Sequence, residues 1–388
     1  LTIATSPDPS PDGPGDAASL SWSLCIPTLN RIDVLELALR CALAQTRKPA
    51  QVIVIDAGDQ PRANRDRLAP LFHGQGISFI HEPANKRSSA VQRNQALSHV
   101  TSEITFFTDD DTLMFPDCAQ TLMARYEADP DQRIAAIALV DVPQIPPAAQ
   151  KALTAPDAAR TPVLGVKKGG TAEQRDRLNR MNRTSGLWRW FSREVLMFSV
   201  ENMFVPYDRH RKRPDVSGLP AGARPVEQIR HLPGYGMSVR SDIARRESFN
   251  PYLLAYCPCE DLDASYRWGR HGLCVVAPDA RVRHHEVQAS RIGRREATSL
   301  GISNNALFIH TNSDSPIRHR LAFAIYVARR LLGETLKDAA TRRFTFPQAR
   351  GVLDAIPSAI GIFRRPLSEA QDWYDDRQKR LLSRPRPS

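Results

Sequence analysis

Over the first third of the chain, short apolar runs alternate with stretches of helical spacing. Ser21–Pro27 is an apolar run stopped by proline, which predicts a strand ending in a loop. Asp33 can cap the helix that follows, whose Leu35, Ala38, Leu39 and Ala42 recur at i, i+3, i+4 and i+7. Gln51–Asp56 is β-branched and apolar on both faces, as parallel strands buried between helices are. The pattern then predicts a helix around Ala63–Leu71, a strand at Ile77–His81, a helix at Ser89–Leu97 and a strand at Glu103–Thr108 that runs into three aspartates. Pro116–Ala128 reads as a helix and Ile134–Val140 as a strand. Such alternation with short links predicts a doubly wound α/β sheet, whose ligands bind beyond the carboxyl ends of the strands. Thr28, Asn30, Asp56 and Asp109–Asp111 all fall there.

Periodicity weakens after that. Residues 143–230 are proline-rich, then basic, then carry Leu187–Phe191 and Val195–Phe198, and read as an insertion with one or two helices. Regular order returns near Gly234 and continues to about His285. A basic amphipathic helix is expected at Ile317–Leu332, followed by a shorter helical stretch and a charged tail. The resulting division is a disordered tail over 1–20, a main α/β domain over 21–310 and a helical extension over 311–388.

The 388 residues place the chain at the edge of the one-domain range, and 41% hydrophobic with 24% charged residues is ordinary for a globular protein. The formal charge of +11 changes the picture more, because a basic surface concentrates anions: nucleotide phosphates, anionic lipids or nucleic acid. No zinc-finger spacing, RNP-like motif or interleaved basic–aromatic stretch supports nucleic acid, so that class is set aside. Of six cysteines, Cys257-Pro258-Cys259 lacks the spacer of a redox or zinc motif, and buried free thiols in a reducing compartment are expected. Residues 1–20 lack the apolar run of a signal peptide, and no stretch reaches the roughly 20 apolar residues of a spanning helix. The expectation is a cytoplasmic protein, with peripheral contact at the inner face of the plasma membrane left open.

Asp109-Asp110-Asp111 carries the clearest chemistry. Three adjacent carboxylates at a strand end repel one another unless a cation neutralises them. Alternate residues of an extended backbone point the same way, so Asp109 and Asp111 can share one side. Mg²⁺ or Mn²⁺ suits such oxygen ligands and keeps positions open for diphosphate oxygens.

Around this triplet the chain resembles family 2 glycosyltransferases. Ser23–Arg31, with Pro27-Thr28-Leu29-Asn30-Arg31, then Leu43–Thr46 and Val52–Asp56, is similar to that family's opening of a strand, P-T-Y-N-R, a helix ending S-L-L-A-Q-T and V-I-V-V-D-D-G-S. Gln92–Leu97 resembles its A-R-N-x-G-L helix and Phe107–Asp111 its F-L-D-D-D motif. Gly234–Arg240, Cys259–Asp263 with Arg267 and Gly272, and Ala280–His284 resemble G-x-N-M-S-V-R, E-D-x-D-x-x-x-R-x-x-x-x-G and A-x-V-x-H. These stretches keep the family's order across residues 21–120 and 232–286.

The resemblance implies the GT-A fold, a Rossmann-like mixed sheet flanked by helices, and transfer with inversion from a nucleotide-diphosphate sugar to a glycan or lipid-linked acceptor. It implies that Asp56 meets the base, that Pro27, Thr28 and Asn30 shape the floor under base and ribose, and that Arg93 reaches a phosphate. Asp109 and Asp110 belong to the donor site, Asp111, Asp109 and His284 to the metal, and Asp111 is the expected direct ligand. Asp261 is the expected general base and Glu260 the acceptor's orienter, while Asp263 is expected to bond a nearby loop or Arg267. Their placement at a helix N-terminus is the plainer reading, compatible with the first.

The chain departs from the family pattern where Ala57 replaces the second aspartate of D-D-G-S, Asp59 stands for serine and Gly236 for asparagine. The missing Q-x-x-R-W signature argues against a processive synthase. Two alternatives remain: a nucleotidyltransferase, disfavoured because the Pro27–Asn30 loop contains no glycine, and an inactive glycan-binding module. In Leu178–Phe204, Arg180, Arg183 and Arg189 mix with Trp188, Trp190, Phe191 and Phe198. Ordinary core aromatics are expected there, with Trp188 and Trp190 as candidate acceptor contacts. In the C-terminal helix, the stripe Leu321, Ile325, Ala328, Leu332 is expected to pack on the domain, with anionic lipid as the alternative.

Overall fold

The computed structural model describes residues 19–154, 185–191, 216–254, 259–285 and 292–382. Among the described residues, nine strands form one sheet: β1 Trp22–Thr28, β2 Gln51–Asp56, β3 Ser78–Pro83, β4 Ile104–Thr108, β5 Thr112–Met114, β6 Ile134–Asp141, β7 Glu227–Gln228, β8 Gly236–Arg240 and β9 Leu273–His284. The order is β3-β2-β1-β4-β8-β6-β9-β5, with β7 also pairing β9. The doubly wound pattern holds through β4, because β1 pairs parallel with both β2 and β4, and β2 with β3. Beyond β4 the sheet turns mixed: β8 runs antiparallel to β4 and β6, and β9 lies parallel to β6.

Strand side chains alternate between two apolar layers, as a period of two requires. Leu24, Ile26, Val52, Val54 and Phe106 meet Leu35 and Leu39 of α1 (Ile32–Leu43) and Leu122 of α4 (Cys118–Glu127). Cys25, Ile53, Ile55 and Phe107 face Leu97 of α3 (Ser89–Ser98) and Trp268 of the helix Glu260–Trp268. Each fully buried Leu, Ile or Phe in these layers contributes about 1.5–3 kcal/mol. Asp33 is not the cap of α1: the helix begins one residue earlier, and the carboxylate instead pairs with Arg67 at 2.7 Å.

The remaining helices are α2 (Pro61–Leu68), α5 (Pro147–Leu153), α6 (Gly186–Trp190), α7 (Ser241–Arg246), α8 (Glu260–Trp268), α9 (Arg294–Asn312), α10 (Pro316–Ala340), α11 (Pro347–Phe363) and α12 (Leu367–Leu382). Ile302, Phe308, Phe323, Tyr326, Val352 and Tyr374 join the same apolar cluster as Phe107 and Trp268, so α9 to α12 close over one face of the sheet. On α10 the expected packing is reversed. Leu321 and Ile325 are 65% and 63% exposed, while Phe323, Tyr326, Glu334 and Asp338 face inward. The stripe therefore does not pack on the domain, because the larger aromatics Phe323 and Tyr326 on the other side of the helix fill that contact.

Candidate active site

The loop after β1 is fastened to the loop after β2. Asn30, at φ 53°, donates from Nδ2 to Asp59 Oδ2 at 2.9 Å and accepts Asp59 N–H at 2.8 Å through Oδ1. Gly58 sits where a Cβ would lie 2.7 Å from Asn30 Oδ1 and 2.8 Å from Asp56 Oδ1, so the approach requires glycine. Asp56 is buried, accepting from Gly58 N–H and Asn64 Nδ2 at 2.7 Å each. Gln92 of α3 donates to the carbonyls of Thr28 and Ile55, at 3.0 and 2.8 Å, and ties both strand ends. Pro27, Thr28, Asn30 and Asp56 thus share one braced corner, and Asp59, a departure from the family pattern, closes it.

At the end of β4 the backbone turns, with Thr112 N–H donating to Asp109 carbonyl at 3.1 Å. The turn sends Asp110 to one side. Its Oδ2 accepts from Thr28 Oγ1 at 2.7 Å and from Arg31 Nε at 3.1 Å, and Arg31 Nη2 closes on Oδ1. Burial pushes this carboxyl up to about 7 despite the opposing Arg31 charge. Asp110 therefore braces the corner.

Asp109 and Asp111 turn toward His284, which ends β9 and is set there by β9 pairing with β5, Thr112 opposite His284. His284 Nε2 lies 3.2 Å from Asp111 Oδ1 and 4.0 Å from Asp109 Oδ2. One ligand atom from each of the three lies within 4.8 Å of the others. His284 stacks on Tyr235, centroids 4.7 Å apart and 18° between planes, and its backbone N–H donates to Asp141 Oδ1 at 2.8 Å. Of His284 and His285, the alternation of faces brings His284 into this group. Two carboxylates and one imidazole fit a divalent cation of the Mg²⁺ or Mn²⁺ kind, with positions left for oxygen ligands from a substrate.

Arg93 joins this group to the acidic pair of α8. It is 1% exposed, with Nη2 2.9 Å from Asp109 Oδ1 and 2.8 Å from the Gly234 carbonyl, and Nη1 2.6 Å from Glu260 Oε1. These bonds engage both of its terminal nitrogens within the protein. Glu260 also accepts from Ser89 Oγ at 3.1 Å, and burial pushes it up to about 7 against the pull of Arg93. Asp261 behaves oppositely. Burial opposes its charge, yet nearby His231, with Nε2 at 2.9 Å, and the Gly234 N–H at 3.0 Å hold it below the usual carboxylate range. Asp263 points away to Arg267 at 2.7 Å and accepts from Asn312 Nδ2 at 2.9 Å, the structural bond expected of it.

Sequence reasoning missed three residues here. Arg31 stands inside the P-T-L-N-R stretch, which was the available signal. His231 and Tyr235 lie at the border of the unmatched region, and only the fold brings them to Asp261 and His284. In α6, Ser185 caps the helix by accepting Trp188 N–H at 3.2 Å, and Trp188 leans on Phe191 with centroids 6.0 Å apart. Trp190 and Leu187 are 57% and 77% exposed, so this short helix does not bury its aromatic face as ordinary core. Arg180, Arg183 and Phe198 lie outside the described residues.

The family model for glycosyl transferase family 2 matches residues 23–196. No curated protein sequence matches the chain. Among solved structures, GalNAc-T7 with UDP, GalNAc and Mn²⁺ superposes at TM-score 0.50 and 13% identity, over 78% of this chain and 50% of that one. The mannosyltransferase PcManGT from Pyrobaculum calidifontis, in complex with GDP-Man and Mn²⁺, gives 0.48 and 15%, over 97% and 88%. S. aureus TarS 1-349 in complex with UDP-GlcNAc gives 0.45 and 14%, over 93% and 90%. At 13% identity the likeness to GalNAc-T7 speaks to the fold alone.

Proposed function

We propose that the chain is a family 2 glycosyltransferase with a GT-A fold, and that it transfers a sugar with inversion from a nucleotide-diphosphate sugar to a hydroxyl of a glycan or lipid-linked acceptor. The observation that carries the reading is Arg93: one buried guanidinium holds Asp109 of the cation group and Glu260 of the acidic pair. The two half-sites are therefore neighbours, joined through one side chain.

Asp109, Asp111 and His284 would hold Mg²⁺ or Mn²⁺, which supplies Lewis-acid relief of the charge on the departing diphosphate. The corner of Pro27, Thr28, Asn30 and Asp56 would seat base and ribose. Asp261 takes the proton of the acceptor hydroxyl as its oxygen bonds the anomeric carbon and the bond to the diphosphate breaks on the opposite face. His231 and the Gly234 N–H keep Asp261 ionised for that task. Glu260, with its raised proton affinity, positions the acceptor beside it. Trp188 and Trp190 are candidates for stacking on the acceptor sugar.

The test is Asp261→Asn. Transfer should fall below detection while a thermal-shift panel of UDP, GDP and dTDP sugars with Mn²⁺ still reports donor binding. Full transfer by this variant would remove Asp261 as the base. A panel in which no nucleotide sugar shifts the wild-type protein would count against the donor class itself.

A further inference from the structure

The solvent side of α10 is apolar along the whole helix. Ile317, Leu321, Ile325, Leu332 and Leu336 are all exposed, spaced by three to four residues or multiples of that, and Phe344, beyond the helix end, is exposed as well. Ala324, Ala328 and Ala339 fill the same side, and Arg318 at the first turn is the one charged residue of α10 that is fully exposed. A surface helix normally shows the reverse, polar outward and apolar inward. Here the inward side carries His319, Glu334 and Asp338 beside Phe323 and Tyr326. The acids bond within the protein: Arg330 and Lys337 pair with Glu334 at 2.8 and 3.2 Å, and Asp338 Oδ2 accepts from Gln348 N–H at 2.8 Å.

No helix among the described residues is long and apolar enough to cross a membrane. A 25-residue helix with one polar side bonded to the domain can only lie flat with the other side in a new environment. The surrounding charge says which. Residues 316–365 contain ten Lys and Arg against three Asp and Glu, and Arg318, Arg342, Arg350 and Arg364 are exposed. A second copy would set one arginine-rich rim against another. An anionic bilayer offers both the apolar medium and the opposite charge. We propose that the outer face of α10 docks the enzyme flat on an anionic phospholipid membrane. On its inner face, Tyr326 belongs to the apolar cluster against which Cys259, the residue before Glu260 and Asp261, packs. Docking would thus hold the acidic pair one helix away from the bilayer.

The experiment is flotation of the full chain with vesicles of phosphatidylcholine alone and of phosphatidylcholine with phosphatidylglycerol. Its readout is independent of sugar transfer. The protein should float with the anionic vesicles, stay behind with the neutral ones, and detach in high salt. Leu321→Glu with Ile325→Glu should reduce flotation at least tenfold while leaving the melting temperature unchanged. Arg318→Glu with Arg342→Glu should weaken it by a smaller factor. Equal flotation of the Leu321/Ile325 double variant, or no flotation of the parent, would overturn the proposal. So would a sedimentation-velocity dimer that the same double variant dissolves, which would assign the face to a second copy.

Discussion

The loop corner around β1 to β4 and the outer helix α10 solve opposite problems. In the corner, apolar strands are buried and the charges at their ends are either braced, as Asp110 is by Thr28 and Arg31, or drawn into one cluster. On α10 Glu334 and Asp338 are tucked inward, and the aliphatic Leu321, Ile325, Leu332 and Leu336 face out. The lesson is that hydrophobic periodicity identifies a stripe without saying which way it faces. Direction is decided by what else can fill the contact, and on α10 Phe323 and Tyr326 fill it.

The largest effect that could break this comparison lies in the cation group. Asp111→Ala should lower transfer by on the order of a thousandfold, since Lewis-acid stabilisation is worth several kcal/mol. It should also abolish any Mn²⁺-dependent thermal shift with a nucleotide sugar. Next comes Arg93→Met, which leaves Glu260 and Asp109 without their shared cation. Chemical denaturation should report a loss of about 3–5 kcal/mol, the cost of breaking a buried pair from one side. A smaller effect sets the two regions directly against each other. Leu39→Ala in the buried face of α1 should cost about 2–5 kcal/mol, whereas Leu321→Ala should stay within about 0.5 kcal/mol. Equal losses at the two sites would mean that α10 does not present its apolar side outward.

The smallest effect concerns neighbouring carboxylates of opposite behaviour. Glu260 has its proton affinity raised to about 7 by burial, from an ordinary 4.5. The unfolded chain therefore releases that proton first, and stability is lost as pH rises between those two values, at up to roughly 1 kcal/mol per pH unit. Asp261 is held low, so its contribution is present above the ordinary aspartate range and is lost as pH falls toward its folded value. Glu260→Gln should flatten the urea stability profile below pH 7, and Asp261→Asn should flatten it only at acid pH.

Much of the sheet was legible because β1, β2 and β4 are short, largely apolar and fully buried runs with clear stops. Strand β5 was missed: three residues after an aspartate turn carry too little pattern, and only pairing with β9 makes them a strand. Helix α9 was hidden for another reason. It buries Ser299, Ser303, Asn304 and Asn305, so its inner face does not look apolar. Tyr374 explains one of these, donating to Asn304 Oδ1 at 2.6 Å from α12, a partner 70 residues away. The aspartates and His284 could be named from motif order, and their nearness is a product of the β5–β9 register. The tasks of Arg31, Arg93 and His231 rest on contacts between distant segments, which local spacing does not encode.

Strand β9 has one more consequence. The segment between Asp141 and Glu227 leaves from β6 and returns through β7, and both of these strands are hydrogen-bonded to β9 itself. Its two ends are therefore clamped to the strand that also delivers His284. Closing a chain between fixed ends becomes only slowly harder with length, about 0.6 kcal/mol per doubling. The length of this connection can therefore change at little cost while the β5–β9 register that brings Asp111 and His284 together is kept.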